Sequence, residues 1–172
     1  MTRAVFPGTF DPIHLGHIDI AQRAAPLFDE LVVAVYDRPL KSLLFSPEQR
    51  LHMVQQAFDG DDRVRVSMFS GLIVEFCREI DAQVIVRGLR VFSDFEHEFR
   101  MALANRRLAP EVEVIAFITH EEHSFLTGTT VREIASLDGD VSSMVPEHVS
   151  EALTKQFQEV GSDAVDMTSL RD

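Results

Sequence analysis

Apolar residues along the chain fall into two alternating patterns. Short apolar runs mark strands at Val5-Phe6, Glu30 to Tyr36, Val64 to Met68, Val84 to Val86 and Val112 to Ile118. The second is continuous enough to be buried on both faces of a parallel sheet. Between the runs, apolar residues recur at helical spacing. The first such segment spans about His17 to Phe28, with Ile18, Ala21, Ala25 and Phe28 on one face. Ser46-Pro47-Glu48-Gln49 then starts a second helix, with serine as N-cap, proline in the first turn and glutamine as capping-box partner. Further helices are expected at about 72–80, 93–108, from Thr129 or Thr130 to before Gly139, and 146–160. This alternation predicts an α/β fold, a doubly wound parallel five-stranded sheet with ligands at the carboxyl ends of the strands. Gly8 to His17, Lys41, Arg87 to Arg90 and Thr127 to Thr129 all follow predicted strands, so the pattern alone brings them to one edge.

No repeat or linker divides the chain, and residues 1–160 read as one domain. Residues 161–172 are polar, lack a helical period and read as a disordered acidic tail. No apolar run approaches the roughly 20 residues that span a bilayer. The N-terminus shows no basic-then-apolar signal segment. A cytoplasmic location without a membrane partner is expected. The lone cysteine, Cys77, excludes an internal disulfide and sits among Ile73, Val74, Phe76 and Ile80, as a helical core residue would. No spacing among the seven histidines suits a closed zinc site, and no protein-held metal is expected.

A net charge of −12 argues against general nucleic-acid binding, which needs a basic face. An anion site in so acidic a chain has to be assembled locally, from Lys41, Arg87, Arg90, Arg106, Arg107 and Arg132. The segment Val5-Phe6-Pro7-Gly8-Thr9-Phe10-Asp11-Pro12-Ile13-His14-Leu15-Gly16-His17 supplies the frame. A strand, a glycine-containing loop and a helix N-terminus present unpaired N–H groups and the positive end of a helix dipole. Gly16 permits close approach of a ligand, and the His17 ring can donate to a phosphate oxygen. In isolation the two histidines could equally be turn residues capping a helix.

His14-Leu15-Gly16-His17 resembles the HxGH signature of the nucleotidyltransferase superfamily. With Pro7-Gly8-Thr9-Phe10-Asp11-Pro12, Arg87-Gly88-Leu89-Arg90 and Asp94-Phe95-Glu96 it is similar, over about residues 3–155, to the bacterial phosphopantetheine adenylyltransferases. The resemblance implies a Rossmann-like nucleotidyltransferase fold. It also implies joining of ATP to 4′-phosphopantetheine, giving dephospho-coenzyme A and pyrophosphate. In-line attack of this kind needs alignment and charge stabilisation rather than a base.

The implied catalytic residues are His17, Lys41 and Arg90. The implied ATP contacts are Thr9, Phe10, His17, Gly88, Leu89, Arg90, Glu98 and the stretch His123, Ser124, Phe125, Leu126, Thr127, Gly128 and Thr129. The implied acceptor contacts are Thr9, Lys41, Ile73, Arg87 and Asn105. Magnesium is expected with ATP, held mainly by phosphates and water. The resemblance further implies a homohexamer and feedback inhibition by coenzyme A. The chain departs from the family pattern at His14, His97, His123 and Gly128, the last replacing a serine. Another small nucleotidyltransferase, acting on nicotinamide mononucleotide or glycerol phosphate, is the neighbouring alternative. A nucleotide-binding module without turnover is the alternative of another class.

Overall fold

The computed structural model describes residues 1–38 and 43–160. Lys41 and the tail 161–172 therefore lie outside the described residues. In chain order the elements are β1 (Arg3–Gly8), α1 (Leu15–Ala24), β2 (Glu30–Tyr36), α2 (Pro47–Ala57), β3 (Val64–Phe69), α3 (Ile73–Glu79), β4 (Val84–Leu89), α4 (Phe92–Leu108), β5 (Glu113–Ile118), α5 (Gly128–Ser136) and α6 (Glu147–Val160). All strand pairs are parallel, in the order β3-β2-β1-β4-β5. The chain winds outward from β1 to β3, then returns to place β4 on the other side of β1. The carboxyl ends of β1 and β4 therefore flank the point where the winding reverses, where such sheets open a crevice.

Successive strand residues face opposite sides, and both sides are covered. Phe6, Val33 and Val35 join Ile20, Met53, Leu153 and Phe157 in one core layer. Val5, Val32, Ala34 and Ile85 join Val74, Phe76 and Cys77 in the other. Each fully buried side chain of this size contributes about 1.5–3 kcal/mol. Burial pushes the Cys77 thiol up to about 12, as befits an inert packing residue.

Several boundaries differ from the sequence expectation. α1 begins at Leu15 rather than His17, because His14 takes the N-cap position, and it ends before a 3₁₀ turn at Ala25–Leu27 that contains Pro26. β4 extends through Arg87-Gly88-Leu89, expected as a strand-end turn, because these residues pair with Ala116, Phe117 and Ile118 of β5. The Ser46–Gln49 capping box forms as expected. α4 has no buried residue; Phe92, Phe95, Phe99 and Leu103 are all exposed, and the Phe95 and Phe99 rings stack 5.8 Å apart.

Candidate active site

The loop after β1 is built around a buried ring. A Cβ on Gly8 would lie 2.7 Å from the Phe10 ring, so only glycine fits there. Phe10 takes a positive φ of 53°, uncommon for a bulky residue, and its ring is held against Phe6 and His17. Asp11 is buried and bridges three elements. Its carboxylate accepts the N–H groups of Leu44 and Phe45 at 2.9 and 3.0 Å, and Arg132 of α5 donates to its carbonyl and carboxylate.

The histidines open α1. His14 is the N-cap, and its Nδ1 accepts the His17 N–H at 3.4 Å. The His17 Nδ1 accepts the His14 N–H at 3.3 Å, and the two rings stack 3.6 Å apart. With both Nδ1 atoms accepting, each neutral ring carries its proton on Nε2, leaving Nε2–H as a donor. Burial, with help from Arg90 and Arg87, lowers the His17 pKa to about 3. Burial, then His17, Arg90 and His123, holds His14 well below its ordinary value. Capping and ligand donation are thus compatible roles, served by opposite edges of one ring.

β4 supplies the opposite wall. Glu98 accepts a two-pronged bond from Arg87 at 2.7 and 2.5 Å, and a third Arg87 N–H reaches the Pro7 carbonyl at 3.1 Å. Asp94 likewise accepts from Arg90 at 2.9 and 3.1 Å, while Arg90 also donates to the Leu126 carbonyl at 3.0 Å. At the start of α5, the Thr127 hydroxyl caps the helix by accepting the Thr130 N–H at 2.9 Å. A Cβ on Gly128 would approach the Asp11 carbonyl to 2.9 Å, which accounts for glycine where the family pattern has serine.

These walls enclose a cleft of about 940 Å³. Of the residues expected at the site, Thr9, Phe10, His17, Arg87, Gly88, Arg90, Glu98, His123, Thr127, Gly128 and Thr129 line it, as do His14 and His97. Others are not among the residues that line it. Leu89 pairs with Ile118, Ile73 packs against the second core layer, and Asn105 lies on α4 with its carbonyl accepting the Ala109 N–H. Ser124 donates to the Glu121 carbonyl at 2.8 Å, Phe125 is exposed, and Leu126 contributes its carbonyl to Arg90 while its side chain is buried. Arg106 sits on exposed α4, 3.7 Å from Glu113, and neither it nor Arg107 lines the cleft.

Among the described residues, the expected cations of the cleft come with carboxylates. Three arginines, Arg87, Arg90 and Arg132, share the lining with Asp11, Asp94, Glu98 and Glu133. Carboxylates orient each guanidinium instead of leaving a bare positive field. From the sequence, Asp11 is assigned no role within its motif and Arg50 is not marked. Arg50 did leave a signal, because it shares a helical face with Met53 and Val54 of the core.

The Cytidylyltransferase-like family matches residues 5–134. A relative from Herpetosiphon aurantiacus, named phosphopantetheine adenylyltransferase, is 50% identical over 92% of this chain and 96% of its own. Relatives of the same name from Thermomicrobium roseum and Gloeobacter violaceus are 47% and 49% identical, over 91% and 90% of this chain and 95% and 96% of theirs. Among solved structures, the lipopolysaccharide core biosynthesis protein from Thermoplasma volcanium matches with a TM-score of 0.54 at 24% identity, covering 70% of this chain and 99% of that one, a likeness of fold. With identity near one half along nearly the whole of both chains, and the HxGH loop seated at the reversal point of the sheet, this chain belongs to the phosphopantetheine adenylyltransferase family.

Proposed function

We propose that the chain transfers the adenylyl group of ATP to 4′-phosphopantetheine, giving dephospho-coenzyme A and pyrophosphate, the penultimate step of coenzyme A biosynthesis. The observation that carries the reading is a neutral His17 at the N-terminus of α1, in the same cleft as Arg87 and Arg90. A phosphate oxygen of the acceptor attacks the α-phosphorus of ATP, and the bond to the bridging oxygen of the β-phosphate breaks in line. The nucleophile is already ionised, so no protein base takes a proton. His17 donates from Nε2 to the oxygens that gain charge, and Arg90 and the first turn of α5 hold the triphosphate. Arg87 offers its remaining N–H groups to the acceptor phosphate. Lys41, outside the described residues, is assigned to both reacting phosphates by the family resemblance alone.

Among the described residues no cluster of three or more His, Cys, Asp or Glu is placed to hold a metal. The cleft carboxylates Asp11, Asp94 and Glu98 are each engaged by an arginine. That donor set fits magnesium carried on ATP phosphates and water, where it neutralises phosphate charge. Among the described residues no helix is long and apolar enough to cross a membrane, and a cytoplasmic location is part of the proposal. The exposed aromatic face of α4 supports self-association, and the resemblance sets it at six copies with coenzyme A as a competing inhibitor.

Pyrophosphate release from ATP and magnesium tests the reading, with 4′-phosphopantetheine, nicotinamide mononucleotide and glycerol 3-phosphate as acceptors. Release with phosphopantetheine alone, reduced about 10²–10³-fold in His17→Ala with ATP binding retained, is expected. Release with another acceptor only would replace the substrate. ATP binding without release would make the chain a non-catalytic module.

A further inference from the structure

Arg50 is the largest fully buried side chain among the described residues, yet it lies outside the cleft. It donates to the carbonyls of Thr9 at 2.6 Å, Tyr36 at 2.7 Å, Phe45 at 3.3 Å and Asp37 at 3.3 Å. Among the described residues its hydrogen bonds go only to carbonyls. Leaving a guanidinium dry is costly unless its N–H groups are satisfied, so this geometry is demanding. The four acceptors come from three segments: the loop after β1, the end of β2, and the residue before the N-cap of α2. A lysine could supply the charge, but not a planar fork reaching this set.

The Thr9 bond has a consequence in the cleft. In a planar trans peptide, the carbonyl of Thr9 and the N–H of Phe10 point in opposite directions. Arg50 draws the carbonyl into the protein, so the Phe10 N–H turns to the other side, where Thr9 and Phe10 line the cleft. Phe10 holds a positive φ of 53°, and its ring is packed under Gly8. The peptide is thereby restrained by the ring on one side and by the guanidinium on the other.

We propose that Arg50 is a positioning residue for adenylyl transfer, fixing the Thr9–Phe10 peptide so that its N–H is presented to the phosphates of the nucleotide. This rests on the reading that the loop after β1 receives the triphosphate. Arg50 touches no substrate; it acts through Thr9.

Three measurements test it together. In Arg50→Lys, kcat falls by about 10²-fold while the ATP KM stays within about threefold, the pattern of lost alignment rather than lost binding. In a double-mutant cycle with Thr9→Val, the two losses in kcat/KM are sub-additive, because both act through one loop. Additive losses, or a decline that only tracks the folded fraction by circular dichroism, would assign Arg50 to stability alone. The third measurement uses the unaltered protein. Adding magnesium and a non-hydrolysable α,β-methylene analogue of ATP shifts the Phe10 amide resonance strongly downfield. If other cleft amides move and Phe10 does not, the inference is overturned. Wild-type protein that binds the analogue but releases no pyrophosphate with any acceptor would instead refute the proposed reaction.

Discussion

The two walls of the cleft solve the same problem by different physics. On the β1–α1 side the polar groups are buried and satisfied mostly by backbone: Arg50 beneath the wall by four carbonyls, Asp11 by two N–H groups beside the Arg132 guanidinium, and His14 and His17 by each other's N–H. On the β4–α4 side Arg87 and Arg90 are about a third exposed and are aimed by Glu98 and Asp94 of a helix with no buried residue. Backbone-fixed groups hold their geometry at any ionic strength, as suits atoms that must meet a transition state. A guanidinium a third exposed keeps N–H groups that its carboxylate does not use, so an incoming phosphate can share it. One wall carries fixed geometry and the other carries exchangeable charge.

The largest effect expected on the exchangeable wall is that of Arg90, smaller than that of His17→Ala on the fixed one. Arg90→Ala removes the fork held by Asp94 and leaves the Leu126 carbonyl without that donor, and kcat/KM for ATP should fall by about 10²-fold in steady-state assays. A loss below about fivefold would place catalysis on the β1–α1 wall alone. Next comes the outer face of α4. Replacing Phe95 and Phe99 together by serine removes about 1.5–3 kcal/mol of apolar burial for each ring an assembly covers. Sedimentation should show dissociation relative to the unaltered chain. An unchanged sedimentation profile would remove this face from any interface.

The smallest effect sharpens the buried wall. The His17 pKa is about 3 in the folded chain and near 6.5 unfolded, so below pH 6.5 the unfolded chain binds the extra proton. This contribution to stability is present above pH 6.5 and is lost as pH falls toward 3, at up to about 1.4 kcal/mol per pH unit. His14 acts in the same direction. Denaturant midpoints measured from pH 7 to 5 should fall less steeply in His17→Asn than in the unaltered chain. Ring resonances of His17 that titrate near 6.5 in the free protein would show the wall to be open to water.

The order of elements was legible because it depends on local signals. Apolar runs mark strands, and Ser46 with Gln49 caps α2 as their spacing implies. The candidate residues that line the cleft share one edge because they come from motifs at the carboxyl ends of parallel strands. Less legible was anything set by a distant partner. Arg87-Gly88-Leu89 looks like a turn until β5 pairs with it. That Glu98 aims Arg87, eleven residues away, appears only once β4 and α4 are packed together. Gly128 reads as a lost hydroxyl until the Asp11 carbonyl lies 2.9 Å from where its Cβ would be.

By itself, then, the sequence determined the α/β class, the number and order of strands, the family, and the short loop with two histidines on which the site is centred. Those properties follow from periodicity and from residues adjacent in the chain. Only the tertiary structure decided that Arg50 supports the Thr9 loop from beneath, that Asp11 joins that loop to α5 and to the residues leading into α2, and that, among the described residues, each cleft arginine is aimed by a carboxylate. Each of these links residues from 11 to 121 positions apart, except Arg90 and Asp94 within one turn. Whether a buried or half-buried charge is satisfied depends on atoms brought close by packing, which no local pattern records.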